Sequence, residues 1–210
     1  MNKESMQETV RAGYDKGNYA SVYRSRLSLN PFEDLFFSKL IGNLKQGAKV
    51  LDIGSGPGIP YDLHLTEKEL KVTGIDISEK HISIARKNVP LATYILGDFL
   101  NHRFSNDQFD AIMFLYTLFH IPRDQHKWVI SKIASILKPN GYLLITVGTE
   151  NIAYKEKTNF CGSNMAWSYF DAQTNMDIIS QCGFAILESL NEKNYGSDEK
   201  HFWILATKKS

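Results

Sequence analysis

The residues best suited to chemistry are a carboxylate and three glycines at the end of a short apolar run. Residues 50–59 read VLDIGSGPGI, so Asp52 is followed closely by Gly54, Gly56 and Gly58. Glycine lacks a Cβ atom, so it adopts positive φ angles and lets a ligand approach the main chain. The pattern therefore predicts a small-ligand site at the edge of a sheet.

The spacing of the glycines argues against two common phosphate sites. A dinucleotide fingerprint needs a further glycine three positions after a Gly-x-Gly pair, and these positions hold Ile59 and Tyr61. A P-loop needs Gly-Lys followed by Ser or Thr, which does not follow these glycines. The negative charge of Asp52 would repel a pyrophosphate and attract an ammonium or sulfonium group. The pattern thus favours a positively charged ligand.

Apolar runs alternate with helical patterns along most of the chain. Such runs are typical of parallel strands that are covered on both faces. They lie at residues 49–53, 72–77, 93–96, 111–115 and 142–147. Asn30, Ser78 and Asp124 are predicted to begin helices between or before them. This order predicts a doubly wound α/β fold with helices on both faces of a mostly parallel sheet.

The C-terminal part departs from this alternation. Asp171 is predicted to cap a helix that runs through Cys182. Two strands then follow, at about residues 185–190 and 202–207, with only a polar loop between them. Strands joined without a helix are expected to pair antiparallel.

Three carboxylates follow successive predicted strands. Asp52, Asp76 and Asp98 come at the ends of the first, second and third strands. In an open α/β sheet, ligands bind beyond the carboxyl ends of the strands. An aspartate near a glycine also occurs in ordinary turns, but three in register favour a shared binding edge.

The motifs in their order resemble the class I S-adenosylmethionine-dependent methyltransferases. The matching segments cover residues 48–148 and read VLDIGSGPG, GIDIS, GDF, FDAIMFLYTLFHI and LKPNGYLLITV. The resemblance implies a Rossmann-like seven-stranded sheet of order 3-2-1-4-5-7-6, with the last strand antiparallel. It also implies one domain over residues 1–210, with an N-terminal helical cap at 1–46.

The resemblance implies S-adenosyl-L-methionine as the cofactor. Asp52 and the backbone of Gly54, Gly56 and Gly58 would hold its methionine part. The backbone of Leu115, at the end of the fourth strand, would lie near the sulfonium.

The resemblance also assigns the nucleoside half of the cofactor. Asp76 would accept hydrogen bonds from the ribose hydroxyls, and Ile77 would pack on the adenine. Asp98 would accept from the adenine amino group, with Phe99 beside the ring.

A tyrosine from the N-terminal segment is expected to close over the cofactor, as in other members of the family. The candidates are Tyr14, Tyr19 and Tyr23, of which Tyr14 is preferred. The alternative is that these tyrosines only pack the N-terminal helix onto the sheet.

His120 is the candidate general base. It lies shortly after the fourth strand, on the side where the transferable methyl group should point, and histidine titrates near neutral pH. A hydroxyl acceptor would benefit from such a base, whereas an amine needs only its neutral form. The alternative is that His120 shapes the loop or contacts the cofactor.

The acceptor is expected under an irregular, aromatic lid insertion at residues 149–170. Tyr116, Trp167 and Tyr169 are predicted to contact it. The lid aromatics could instead be core residues that introduce the following helix. If they bind substrate, the acceptor is small and partly apolar.

Composition narrows the class of protein. The chain has 210 residues, 43% of them apolar, and a net charge of +1, which disfavours a nucleic-acid partner. Its two cysteines form no metal motif or disulfide scaffold, and no metal site is predicted. The first twenty residues lack a secretory signal, and the longest apolar run is too short for a membrane span. We expect a cytoplasmic monomer or homodimer.

The sequence therefore favours a methyltransferase acting on an oxygen or nitrogen atom of a small-molecule acceptor. One alternative is a non-catalytic sensor or partner protein that binds S-adenosyl-L-methionine. The other is a nicotinamide-dependent oxidoreductase, which the missing third glycine disfavours.

Overall fold

The computed structural model describes residues 3–192 and 200–210, with side chains described from Met6 onward. Part of the loop predicted between the last two strands therefore lies outside the described residues. One sheet has seven strands: β1 (Lys49–Ile53), β2 (Lys71–Asp76), β3 (Thr93–Leu96), β4 (Phe109–Phe114), β5 (Leu137–Gly148), β8 (Phe184–Asn191) and β9 (His201–Lys208). Their order across the sheet is β3-β2-β1-β4-β5-β9-β8.

The pairing of these strands confirms the predicted topology. Strands β1 to β5 run parallel to one another, whereas β9 is antiparallel to both β5 and β8. The strand order corresponds to the predicted 3-2-1-4-5-7-6 when the sheet strands alone are numbered.

Helices cover both faces of the sheet, as predicted. They are α1 (Lys3–Lys16), α2 (Tyr19–Tyr23), α3 (Pro31–Gly42), α4 (Tyr61–Glu67), α5 (Glu79–Asn88), α6 (His126–Ile136) and α7 (Ala172–Gln181). Helices α6 and α7 bury apolar side chains in one core, while α3 and α4 contribute to the core on the opposite face. No helix in the described part of the chain is long and apolar enough to cross a membrane.

Local sequence signals fix where several helices begin. Asn30 and Glu33 form the predicted capping box, with each side chain accepting from the other residue's backbone N–H at 2.8 Å. Ser78 Oγ accepts from the N–H of His81, and Asp171 accepts from that of Thr174. Each cap satisfies a donor that the first turn of a helix leaves unpaired.

The prediction of an irregular segment at residues 149–170 is wrong. This stretch forms an antiparallel hairpin of β6 (Ile152–Phe160) and β7 (Ser163–Tyr169). The turn uses positive φ angles at Cys161 and Gly162, of 52° and 88°. Only the glycine adopts this conformation without strain, so the turn signal is weak in the sequence.

The N-terminal helix packs closely on this hairpin. Met6 and Val10 of α1 form a small apolar core with Met165 and Ala166 of β7. A Cβ atom on Gly13 would lie only 2.6 Å from the carbonyl oxygen of Asn164, so the glycine permits this approach. The contact brings the end of α1 over the carboxyl edge of the sheet.

Candidate functional site

A cavity lies beyond the carboxyl ends of β1 to β4. We call it the cofactor cavity. The predicted cofactor residues that line it are Tyr14, Asp52, Gly54, Gly56, Asp76, Ile77, Asp98, Phe99 and Leu115. Their convergence follows from the parallel strands, whose carboxyl ends share one edge of the sheet.

Asp76 organises the glycine loop. One carboxylate oxygen accepts from the N–H of Gly56 and the other from the N–H of Ser78, both at 2.8 Å. A carboxylate has about four acceptor positions, so Asp76 retains capacity for two more donors. Two vicinal hydroxyls of a ribose would use that capacity.

The glycines of the loop serve different purposes. Gly54 has a φ of 75°, and a Cβ atom there would clash with the side chain of Thr117. Gly56, with a φ of 55°, has open space where its Cβ would lie. Gly58 lies outside the cavity wall, and a Cβ there would meet the hydroxyl of Tyr94. Gly58 therefore packs closely against Tyr94, and its predicted contact with the cofactor stays a prediction.

Asp52 belongs to a buried cluster that sequence reasoning missed. Asp62, in the first turn of α4, accepts from the hydroxyl of Tyr94 at 2.8 Å. Its other oxygen is buried without a donor, and a proton shared with Asp52 would satisfy it. Burial raises the pKa of both carboxyls, and that of Asp62 to about 7. An acid in the turn after the glycine loop is the signal that could have revealed the pair.

Asp98 is held by its own turn. One of its oxygens accepts from the N–H of Leu100 at 2.8 Å, and the other from the side-chain amide of Asn101 at 2.9 Å. Phe99 is buried beside it and borders the same cavity. These contacts fix the carboxylate at the edge of the cavity, beside a ring that a base could pack against.

His120 and Tyr14 form a hydrogen-bonded pair in the wall of the cofactor cavity. His120 Nδ1 lies 2.8 Å from the carbonyl oxygen of Ala166, which can only accept a hydrogen bond. His120 Nδ1 therefore carries the proton, and Nε2 accepts from the Tyr14 hydroxyl at 2.8 Å. Burial lowers the pKa of His120 to about 4, so the ring is neutral at physiological pH.

A second cavity adjoins the first on the side of the N-terminal helices and the hairpin. We call it the acceptor cavity. It shares five lining residues with the cofactor cavity: Tyr14, Tyr19, Arg24, Tyr116 and His120. The two spaces therefore meet at the Tyr14–His120 pair.

The three residues predicted to contact the acceptor differ in which cavity they line. Tyr116 lines both cavities, and its hydroxyl donates to the buried carboxylate of Glu192 at 2.9 Å. The ring of Trp167 borders the acceptor cavity, 5.7 Å from that of His120. Tyr169 packs over Gly148 and does not line the acceptor cavity.

Arg24 is a second residue that sequence reasoning missed. Its guanidinium lies 4.9 Å from the ring centroid of Tyr61 and 4.7 Å from that of Tyr116. It donates to the Tyr61 hydroxyl at 3.3 Å, but no described carboxylate lies within ion-pair distance. A cation beside the tyrosines of the N-terminal segment was visible in the sequence. Its position where the two cavities meet depends on the folded structure.

The sheet order, the glycine loop and the strand-end acids together define a Rossmann-like methyltransferase fold. Residues 50–141 match the family described as "Methyltransferase domain". An uncharacterized methyltransferase of Synechocystis sp. is 32% identical over 74% of this chain and 76% of its own length. The chain therefore belongs to the class I S-adenosylmethionine-dependent methyltransferases, a family of enzymes whose cofactor is S-adenosyl-L-methionine.

Two further matches show similarity in sequence and in fold. A methyltransferase of Streptomyces halstedii is 27% identical over 70% of this chain, which spans only 56% of that protein. The solved 1,6-didemethyltoxoflavin-N1-methyltransferase of Burkholderia thailandensis is 16% identical, with a TM-score of 0.70. The match covers 100% of this chain and 92% of that structure, so the two share a fold.

Proposed function

We propose that this protein transfers a methyl group from S-adenosyl-L-methionine to an oxygen or nitrogen atom of a small-molecule acceptor. The observation that supports this most directly is the meeting of two cavities at Tyr14 and His120. One cavity carries the acids and glycines expected to hold the cofactor, and the other leaves room for an acceptor. When bound, the cofactor supplies an electrophilic methyl group on a sulfonium.

The residues present fit the cofactor. Asp76 has free acceptor capacity for the ribose, and the absent side chain at Gly56 leaves the main chain open to a ligand. Asp98 and Phe99 would receive the adenine, with Ile77 on its other side. Arg24 would pair with the carboxylate of the methionine part, because it lines the same cavity without a described carboxylate partner.

Tyr14 and His120 would handle the acceptor's proton. Because the Tyr14 hydroxyl occupies His120 Nε2, His120 acts through Tyr14 and not directly on the acceptor. A hydroxyl acceptor would pass its proton to the Tyr14 oxygen as Tyr14 passes its own to Nε2. Burial raises the pKa of Tyr14, so a free tyrosinate would not persist and the two transfers occur together.

The acceptor is proposed to be a small molecule, because the N-terminal segment and the hairpin of this chain form much of the wall of the acceptor cavity. We propose the hairpin at residues 149–170 and the helices at 1–46 as its lid and cap. The Burkholderia relative, which was solved with a small-molecule acceptor and S-adenosylhomocysteine bound, supports this size class. We also propose a cytoplasmic location and no nucleic-acid partner.

The test is a methyl-transfer assay that follows S-adenosylhomocysteine release over a panel of small hydroxyl and amine compounds. We expect turnover of at least one, with the Arg24→Gln variant needing more cofactor for half-maximal rate. Cofactor binding without turnover of any compound would favour the non-catalytic sensor instead. An Arg24→Gln variant with unchanged cofactor affinity would remove Arg24 from the cofactor site.

A further inference from the structure

The acceptor cavity continues into a smaller space with a basic wall, which we call the basic side cavity. Its lysines are Lys155, Lys157 and Lys200. Five residues line both spaces, which makes them continuous: Phe119, Phe160, Trp167, Lys200 and His201.

Strand β6 directs two of these lysines toward the cavity. Lys155 and Lys157 are two residues apart, so their side chains leave the same face of the strand. Tyr154 and Glu156 occupy the other face, where the Tyr154 hydroxyl donates to the Glu156 carboxylate at 2.7 Å. The one acid within this stretch of β6 is therefore directed away from the lysines.

The two lysines lack a carboxylate partner within the described part of the chain. No described acid lies within ion-pair distance of Lys155 or Lys157, while Lys200 pairs with Glu150 at 2.9 Å. Lys157 Nζ lies 5.8 Å from the ring centroid of Phe160. Glu150 is the acid on which the charge of Lys155 acts, and it is already paired with Lys200. The three lysines therefore leave a net positive charge at the cavity wall, which favours an anionic group on whatever the cavity binds.

Aromatic rings occupy the path between these lysines and the proton-handling pair. The Trp167 ring lies 5.7 Å from that of His120 and 5.1 Å from that of Phe160. Lys155 is paired with Trp167 across the hairpin. An acceptor that extends from His120 to Lys155 would therefore pack an apolar body on Trp167.

We propose that the acceptor is a small anion whose carboxylate or phosphate group lies between Lys155 and Lys157. Its apolar body packs against Trp167, and its methylated atom lies beside Tyr14. This inference rests on the proposed function, because it specifies the substrate of the same site. It also gives the hairpin a role in substrate selection that the cofactor motifs do not predict.

The test is calorimetric titration of the S-adenosylhomocysteine-saturated protein with three probes. 4-Hydroxybenzoate and phenyl phosphate carry the two kinds of anion, and 4-hydroxybenzamide is a neutral match for the first. We expect at least one anion to bind about tenfold more tightly than the amide. The two anions separate a carboxylate site from a phosphate site.

Variants at the lysines identify where the charge acts. Lys155→Gln/Lys157→Gln should weaken binding of the anion about tenfold and leave the affinity for S-adenosylhomocysteine unchanged. Lys45→Gln/Lys87→Gln, at two exposed lysines that line none of the three cavities, is the charge-matched control. The proposal is overturned if neither anion binds, if the amide binds equally well, or if the double variant binds the anion like the unaltered protein.

These outcomes are separable from those of the proposed function, because they measure binding. Lysine-dependent anion binding without turnover of any acceptor would keep the anion site and contradict the methyltransferase activity. Turnover of a small acceptor, together with equal binding of both anions by the unaltered protein and the double variant, would do the reverse.

Discussion

The cofactor cavity and the acceptor cavity share Tyr14 and His120 but are built from different parts of the chain. The cofactor cavity takes most of its wall from the loops that follow β1 to β4. The acceptor cavity takes its wall from the N-terminal segment, from β7 and from the start of β9. The first depends on backbone conformation and strand-end acids, and the second on side chains brought together from distant segments.

Because of this difference, substitutions in the two cavities should have different effects. Backbone sites at the ends of buried strands are fixed by the sheet, so substitutions there should damage cofactor binding and folding together. Acceptor-side contacts are made by side chains on the covering elements, so substitutions there should change catalysis or selectivity while cofactor binding survives.

The largest effect is expected from Gly54→Ala, which should weaken cofactor binding. The added methyl group combines a φ of 75° with a clash against Thr117, so the loop must move. We expect cofactor affinity to fall about a thousandfold and the melting temperature to drop. Gly42→Ala, in α3 with open space around the new methyl group, is the control and should be slightly stabilising. Tight cofactor binding by Gly54→Ala would break the comparison.

The next effect is that of Tyr14→Phe on catalysis. Removing the hydroxyl removes the link between acceptor and His120, so turnover of a hydroxyl acceptor should fall about a hundredfold. Adding His120→Asn should cost little more, because the two residues act as a unit. Steady-state kinetics with a turned-over acceptor measures both, with Tyr154→Phe on the exposed face of β6 as control. Unchanged turnover would remove the pair from the mechanism.

A smaller effect is expected on stability from Asp62→Asn. The raised pKa of Asp62 means that the folded state keeps a proton which the unfolded chain releases above about pH 4. This stabilising contribution is complete below about pH 4 and is lost as the pH rises to about 7. The free energy of unfolding of the variant should therefore rise relative to that of the unaltered protein between pH 4 and pH 7, and the difference should be about 1–2 kcal/mol at pH 8. Urea unfolding at pH 5 and pH 8 measures it, and a pH-independent difference would contradict the shared proton.

The smallest change is spectroscopic and concerns His120. Burial lowers its pKa, so we expect its NMR titration midpoint near pH 4 and a proton on Nδ1 at neutral pH. A midpoint of about 6.5, the ordinary value, would show that His120 is accessible to water.

The cofactor half could be predicted from the sequence because its positions follow a local rule. Asp52, Asp76 and Asp98 end apolar strands, and parallel strands bring such ends to one edge. The strand order and the antiparallel last strand were also predicted and are confirmed. The packing of Gly58 against Tyr94 was not predicted, because it depends on a residue of a different strand.

The acceptor half could be predicted only in part. Tyr14 and His120 were both identified, but their hydrogen bond joins residues 106 positions apart and depends on the packing of α1 against β7. The hairpin was missed because β6 is exposed along nearly its whole length and carries mostly polar residues, so it lacks the apolar pattern of a buried strand. Its register, and with it the position of Lys155, follows from tertiary contacts that no local pattern encodes.

The central claim is that the cavity beyond β1 to β4 binds S-adenosyl-L-methionine through the strand-end acids. Isothermal titration of the purified protein with S-adenosylmethionine and S-adenosylhomocysteine, repeated on Asp76→Ala, tests it most directly. The account predicts micromolar binding that the substitution abolishes, with Asp107→Ala, a surface acid paired with Lys208, leaving it unchanged. No heat from either ligand, or equal binding by Asp76→Ala, would contradict it.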